Sequence, residues 1–368
     1  GIYADGLFEG NPDIKEKMTD FIYYNNVSPS YSRTFPSVTY FLTGVPCDYS
    51  IPVTKYFQKA WSEGTFLKDI KEAGYQSKIY TDVNYVIKNV DHAMDKIDNI
   101  GKYEQVVNTP QMIKAMLDLS AYRYAPMTMK PFFWLYTGDL ENITSVDADF
   151  SDKHVTDDVG FWRNLREDKL SVLDDSTGSF VFYHLRGAHD PFVMDENGNS
   201  VSSSDWNPYP QIIGNMNMIF EYIRQLKEEG LYEDTTIIIT ADHGHTGTIE
   251  ELDGPRRITF LMKPQGEIKG APLQYNSAPL TQANIQASIL KELGLDYEAY
   301  GQAADEVPED AQITRYFYMS GSDPTKIKRD YNLVTYKIDG NVNDFDSWSI
   351  VSKERIKHPF YDADISNE

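Results

Sequence analysis

The chain has 368 residues, 41% of them hydrophobic, which suffices for one large α/β domain with an appendage or for two domains. With 34 basic against 56 acidic residues its net charge is −22, which argues against non-specific binding to nucleic acid or to an anionic membrane surface. The one cysteine, Cys47, excludes an intrachain disulfide and reads as structural, and no apolar run approaches the roughly 20 residues of a membrane span.

The chain opens on Gly1-Ile2-Tyr3-Ala4, which reads as the end of a buried strand and hence as the start of an excised piece. Asp5-Gly6 then falls at the carboxyl end of that strand, where ligand sites of open α/β sheets form. Asp5 there is either a turn residue or a ligand. Residues 22–34 are a polar, Tyr- and Ser-rich lead into Thr34-Phe35-Pro36-Ser37-Val38-Thr39-Tyr40-Phe41-Leu42-Thr43-Gly44. Val38, Phe41 and Leu42 recur at helical spacing, Pro36 suits a first turn and Gly44 a stop. Thr34 is then either the cap of a short buried helix or a hydroxyl beside free N–H groups and the positive dipole end, placed to attack phosphorus or sulfur.

A helix is predicted over residues 66–73, ended by Gly74, with Lys78-Ile79-Tyr80 as the next strand. Thr109-Pro110 starts another helix, with Met112, Ile113, Met116 and Leu117 on one face. Residues 137–178, rich in Asp, Ser and Thr, read as loops and short helices near the site. Residues 179–185 form a buried strand that ends in Arg186-Gly187-Ala188-His189-Asp190-Pro191-Phe192, and a polar surface loop covers 195–209. A long helix over 211–229 is closed by Gly230. Residues 235–241 are β-branched and apolar, as in a parallel strand covered on both faces, and deliver Asp242-His243-Gly244. A strand over 258–262 and a Thr281-capped helix over 282–293 complete the pattern. This order predicts an α/β fold over residues 1–310, with a doubly wound, mostly parallel sheet. Alternation over 315–319, 333–338 and 348–351, with a turn at Asp339-Gly340, predicts a small antiparallel subdomain over 311–368.

Asp242 and His243 leave the strongest strand, and a tight turn there can aim both at one metal. Alone, Asp-His-Gly is an ordinary turn. With Asp5 at another strand end and Thr34 at a helix start, the set is two carboxylates, an imidazole and a hydroxyl, which suits one Zn²⁺ or Mn²⁺ ion. The four are expected to converge on one point. His189 is placed to stabilise phosphoryl oxygens or to protonate a leaving alcohol. Its bland counterpart is a strand-end histidine paired with a carboxylate. His184 lies inside the strand and is structural or substrate-facing. His245 is outside the ligand set or exposed, and Arg256 and Arg257 contact an anionic substrate or form a solvated edge.

The stretch ending at Gly44 resembles the sulfatase signature Cys/Ser-x-Pro-Ser-Arg followed by an apolar helix ending Thr-Gly. Pro36, Ser37, Leu42, Thr43 and Gly44 match, and Thr34 takes the nucleophile position. Two departures matter: threonine cannot become formylglycine, and Val38 replaces the arginine. A threonine nucleophile is what lipoteichoic acid synthases and lipid A phosphoethanolamine transferases use, cousins in the alkaline phosphatase superfamily. Gly187-Ala188-His189-Asp190-Pro191 resembles their Gly-Ser-His-Gly-Pro and Asn-His-Phe-Pro stretches, whose histidine faces the substrate phosphate. The resemblance spans roughly residues 1–300 and implies that Asp5, Thr34, Asp242 and His243 bind metal. It implies a transferase that moves phosphoglycerol or phosphoethanolamine from a lipid donor to a glycan through phospho-threonine. A phosphodiesterase or sulfatase-type hydrolase is the alternative within the superfamily. An inactive domain that binds glycan or lipid head groups is the alternative from another class, and the intact four-residue set weighs against it. The resemblance also implies upstream transmembrane helices that anchor the domain at the extracellular face of the membrane.

Overall fold

The computed structural model describes residues 2–87, 90–100, 106–107, 109–133, 144–145, 156–170, 178–202, 207–245, 251–266, 269–321 and 331–356. It is an α/β fold with mixed and parallel sheets and a smaller antiparallel C-terminal sheet. Four strands form the main sheet, in the order Ile237–Thr240, Phe260–Lys263, Ile22–Tyr24, Gln274–Asn276. Phe260–Lys263 runs antiparallel to both of its neighbours, and the last strand runs parallel to Ile22–Tyr24. Parallel pairs join Gln76–Tyr80 to Ser179–Tyr183 and Leu280–Thr281 to Val27–Ser28. The strands Ile237–Thr240 and Ser179–Tyr183 are half-buried, and Ile237–Thr240 pairs antiparallel, where sequence predicts buried strands and a parallel neighbour. A β-branched run shows that a segment is extended and partly covered; it carries no sign of the partner's direction. Among the described residues no helix is long and apolar enough to cross a membrane.

The helix Thr34–Thr43 sits in the larger core, with Phe35, Val38, Phe41 and Leu42 all buried. It packs on the helix Val53–Glu63, whose Tyr56, Phe57, Ala60 and Trp61 share that core. Its carboxyl end is held from a distance: buried Gln286 donates through Nε2 to the carbonyls of Tyr40 (3.1 Å) and Phe41 (2.9 Å). Gly44 ends the helix at φ 77°, and a Cβ there would lie 2.7 Å from the Tyr300 ring, so both backbone and space require glycine.

The N-terminal segment differs from its predicted strand. Ile2–Gly10 is a helix, because Ala4, Leu7 and Phe8 follow a helical period and bury against Met216, Ile223 and Leu226 of the helix Tyr209–Glu228. Three residues, Ile2 to Ala4, are too few to show that period.

The C-terminal sheet aligns Thr314–Gly321, Tyr331–Asp339 and Trp348–Ile356 antiparallel over its own small core of Phe317, Tyr336, Ile338 and Trp348. Its first strand lies against the lead into Thr34. The Tyr318 N–H donates to the Ser30 carbonyl (2.9 Å), and the Ser32 N–H donates to the Tyr318 carbonyl (3.1 Å). Arg33 Nε also donates to the Ser320 carbonyl (3.4 Å). Arg315 pins the sheet: it is only 2% exposed. Its guanidinium donates to the Asn26 carbonyl (2.8 Å), to Asn26 Oδ1 (3.1 Å) and to the Gly340 carbonyl. Burial pulls its pKa down to about 10, which still leaves it charged at neutral pH. Arg315→Ala strands those acceptors and is expected to cost about 3 kcal/mol. A urea midpoint unchanged from wild type would refute the anchoring role.

Candidate functional site

The strand Ile237–Thr240 delivers Asp242 and His243 into a turn that several side chains fix. Thr240 Oγ1 donates to the Thr259 carbonyl (2.8 Å) on the neighbouring strand segment. The His243 N–H donates to Asp242 Oδ1 (2.8 Å), which sets that carboxylate's rotation. Buried Gln282, the first residue of the helix Gln282–Glu292, donates through Nε2 to the Asp242 carbonyl (2.8 Å). The same side chain accepts from the Ser30 N–H through Oε1 (3.3 Å), so one amide ties the Asp242 turn to the segment that leads into Thr34.

Thr34 is the first helical residue, with extended Arg33 as the cap in its place. Its hydroxyl therefore points out from the helix's positive end. Thr34 Oγ1 lies 3.2 Å from His243 Nε2, and it also donates to the Asp242 carboxylate. His243 Nε2 is 3.4 Å from Asp242 Oδ2. His243 Nδ1 is 2.8 Å from the Gly244 carbonyl, which accepts and so places the ring proton on Nδ1. Nε2 then presents a lone pair. Three electron-rich atoms face one another with one hydroxyl proton among them. Burial alone raises the Asp242 pKa, but the positive charge that His243 and His184 carry when protonated, together with the Thr34 hydrogen bond, pulls the carboxyl below its usual range.

That arrangement fits a cation. Ligands at about 2.1 Å on a tetrahedral ion stand about 3.4 Å apart, and the two separations are 3.2 and 3.4 Å. Among the described residues no group of three or more His, Cys, Asp and Glu gathers. The donor set here is accordingly two such residues and a hydroxyl. Asp5 is engaged elsewhere. From its helical position its carboxylate accepts from Tyr23 OH (2.9 Å) and pairs with the Arg257 guanidinium. The backbone of Arg257 borders Gly244.

The remaining candidates divide by burial. His184 adjoins the set: burial lowers its pKa against the pull of Asp242, which keeps the imidazole neutral at pH 7, and Nδ1 lies 2.9 Å from Thr81 Oγ1. His189 is exposed and turned back on its neighbour, with Nδ1 at the Asp190 carbonyl. The loop that carries it is clamped from two sides. Buried Asp158 accepts from the N–H groups of Arg186 (2.7 Å) and Gly187 (3.0 Å). Buried Gln211 donates to the carbonyls of Gly187 (2.7 Å) and His189 (3.1 Å) and accepts from the Val193 N–H (2.9 Å). His245 is exposed. Arg256 closes its own turn, pairing with Asp253 (2.7 Å) and donating to the Gly254 carbonyl (2.9 Å). Sequence reading passes over Thr81, Asp158, Gln211 and Gln282. For the two glutamines a signal exists, since each falls in the inward register of its helix, where an apolar residue is expected.

Comparison places this fold among known proteins. The profile of one family, described as Sulfatase, matches residues 1–295. No curated protein matches the sequence. Among solved structures, Ps i-CgsB in complex with k-i-k-neocarrahexaose superposes with a TM-score of 0.52 at 11% identity, covering 92% of this chain and 80% of that one. A protein in the alkaline phosphatase superfamily from Vibrio parahaemolyticus gives 0.52 at 15% identity, covering 93% and 76%. At such identities the likeness is one of fold.

Proposed function

The chain belongs to the sulfatase family, and from that premise we propose that it is a phosphodiester hydrolase whose nucleophile is Thr34. The observation that carries this reading is the Thr34 hydroxyl held between His243 Nε2 and the Asp242 carboxylate at a helix N-terminus. These two acceptors orient the hydroxyl proton inward and leave the outer lone pairs of Oγ1 free to attack. The helix N–H groups favour the negative charge that develops on Oγ1. Sulfatases of the signature type need an aldehyde at this position. Oxidation of threonine, a secondary alcohol, gives a ketone, so phosphorus is the better fit than sulfur.

In the first step Thr34 Oγ1 bonds to phosphorus as its proton passes to the acceptors that hold it, His243 Nε2 or the Asp242 carboxylate, while the bond to the leaving alcohol breaks and that alcohol takes up a proton. His189, on its clamped loop, is the candidate donor. A threonine phosphodiester has no geminal hydroxyl to expel it. Its release needs a second incoming oxygen, and with water the products are a phosphomonoester and free Thr34. Thr34, Asp242 and His243 fit one Zn²⁺ or Mn²⁺ ion, which when bound supplies Lewis acidity toward a phosphoryl oxygen and acidifies the hydroxyl.

A second reading follows from the same chemistry. If a glycan hydroxyl takes the place of water, the enzyme transfers phosphoglycerol or phosphoethanolamine from a lipid at the extracellular face of the membrane. The His189 stretch, with its likeness to the transferases, favours this variant. Both readings share one test. The metal-loaded protein is expected to cleave bis(p-nitrophenyl) phosphate and to leave p-nitrophenyl sulfate untouched. Robust aryl-sulfate hydrolysis that disappears in Thr34→Ala would overturn the assignment to phosphorus.

A further inference from the structure

The helix Thr109–Tyr124 wears its apolar stripe outward. Ile113, Met116, Leu117 and Tyr124 fall on one side at helical spacing, yet they are 51%, 60%, 64% and 81% exposed. Ala115, on the opposite side, is 6% exposed. The turn that follows adds Met127 at 87% and Met129 at 48%. Surface helices of globular proteins bury such a stripe, and a contiguous apolar patch in the open marks an interaction site.

Charge indicates the occupant. In a chain of net charge −22, residues 109–133 hold three cations, Lys114, Arg123 and Lys130, against the single carboxylate of Asp118. At 100° per residue, Lys114 and Arg123 stand one on each side of the Ile113, Met116, Leu117 and Tyr124 stripe, with Leu119, also exposed, beyond Arg123. Both cations are exposed. Lys130 reaches back over the Tyr122 ring, 5.0 Å from its centre. Apolar side chains between flanking cations match the boundary of an anionic bilayer, with the methylenes at acyl depth and the charges at the head groups. A second copy of the chain is a poorer partner, because pairing this face with itself sets Lys114 and Arg123 against their own kind. The acidic remainder does not attract such a surface. Its repulsion acts only within a Debye length of about 8 Å, so it restricts docking to a face that is locally basic, as this one is.

We propose that the Thr109–Tyr124 helix and its following turn dock this protein on an anionic lipid surface, where its site meets a lipid-borne phosphodiester. The inference rests on the reading of a lipid donor, but its test does not use turnover. The protein is sedimented with vesicles of phosphatidylcholine containing phosphatidylglycerol, and with phosphatidylcholine alone. Binding is expected to the anionic vesicles, weaker by at least about tenfold on the neutral ones and at high salt. Met116→Asp with Leu117→Asp is expected to weaken anionic binding by more than about tenfold. Lys114→Glu with Arg123→Glu should abolish the preference for anionic lipid. Both pairs lie on an exposed face, and an unchanged thermal melt confirms that they fold. Absence of sedimentation with anionic vesicles, or equal sedimentation of the Met116/Leu117 double variant, overturns the proposal. So does self-association in solution that this double variant abolishes, which would assign the face to a second copy. Loss of phosphodiesterase activity on a soluble diester sinks the proposed function and leaves the vesicle result intact, so the two failures are distinguishable.

Discussion

Thr34→Ala is expected to yield a folded protein with turnover of phosphodiesters reduced by more than about 10³-fold, because a covalent route loses its first step. The fold should tolerate the change. The helix is fixed by its four buried apolar side chains and by Gln286 at its far end, none of which involves the hydroxyl. Loss of the side-chain hydrogen bonds costs about 1 kcal/mol. Thr34→Ser keeps the oxygen but loses the methyl group that restricts χ1, so its rate should fall between the two. Mass spectrometry supplies the direct readout. Rapid quench of the wild type with a diester should show one added phosphoryl-alcohol group on the peptide that holds Thr34. If Thr34→Ala retains turnover within about tenfold of wild type, the attacking oxygen is not Thr34 and the reading fails.

Removal of divalent metal is expected to be nearly as severe. Asp242, His243 and Thr34 present three donors with one proton among them, an arrangement that a cation relieves. Treatment with a chelator should reduce turnover by about 10²-fold or more, and Zn²⁺ or Mn²⁺ should restore it. Equilibrium dialysis should find one tightly held ion per chain. His243→Ala and Asp242→Asn should each weaken that binding by more than about 100-fold, since even residues outside the ligand set typically contribute 10–100-fold. Asp5→Asn is the informative contrast. Its carboxylate bonds Tyr23 and Arg257, neither of which is a proposed ligand, so affinity should fall by less than the roughly tenfold lower bound for residues that orient ligands directly. A stoichiometry of zero in the wild type would remove the metal from the mechanism.

Legibility followed local punctuation. Pro36 and Gly44 bracket the nucleophile helix, and the β-branched run before Asp242 announces an extended segment ending at the site, so both could be read without coordinates. The alternation near the C-terminus likewise predicts three antiparallel strands. What sequence does not carry is the identity of the neighbour. The stripe of Ile113, Met116 and Leu117 states that one face is apolar, but not that solvent meets it. Direction of pairing at Ile237–Thr240 depends on chain crossings that side chains do not encode. Gln282, Gln211 and Asp158 act through hydrogen bonds to backbone distant in the chain; the inward register of the two glutamines marks them as buried but not what they bind, and Asp158 looks like any solvated polar residue. Asp5 shows the limit of a short window: Ile2 to Ala4 read as a strand end, and the helical period that carries Asp5 becomes visible only once Leu7 and Phe8 are included.

The strand Thr314–Gly321, laid along Ser30 to Arg33, has a consequence for how the protein is made. Arg33 and Ser320 are 287 residues apart in the chain, and Arg315 reaches Asn26 across 289. Ribosomes add roughly 5–20 residues per second, so the partner strand of the nucleophile's lead emerges on the order of 15–60 s after the lead itself. Throughout that interval the helix Thr34–Thr43 can assemble with its nearby helices, while the residues just before it lack their edge partner. Completion of the site's edge therefore waits until residues 314–321 have been made, and a nascent chain that stalls before residue 314 carries every candidate ligand without the strand that pairs with the lead into Thr34.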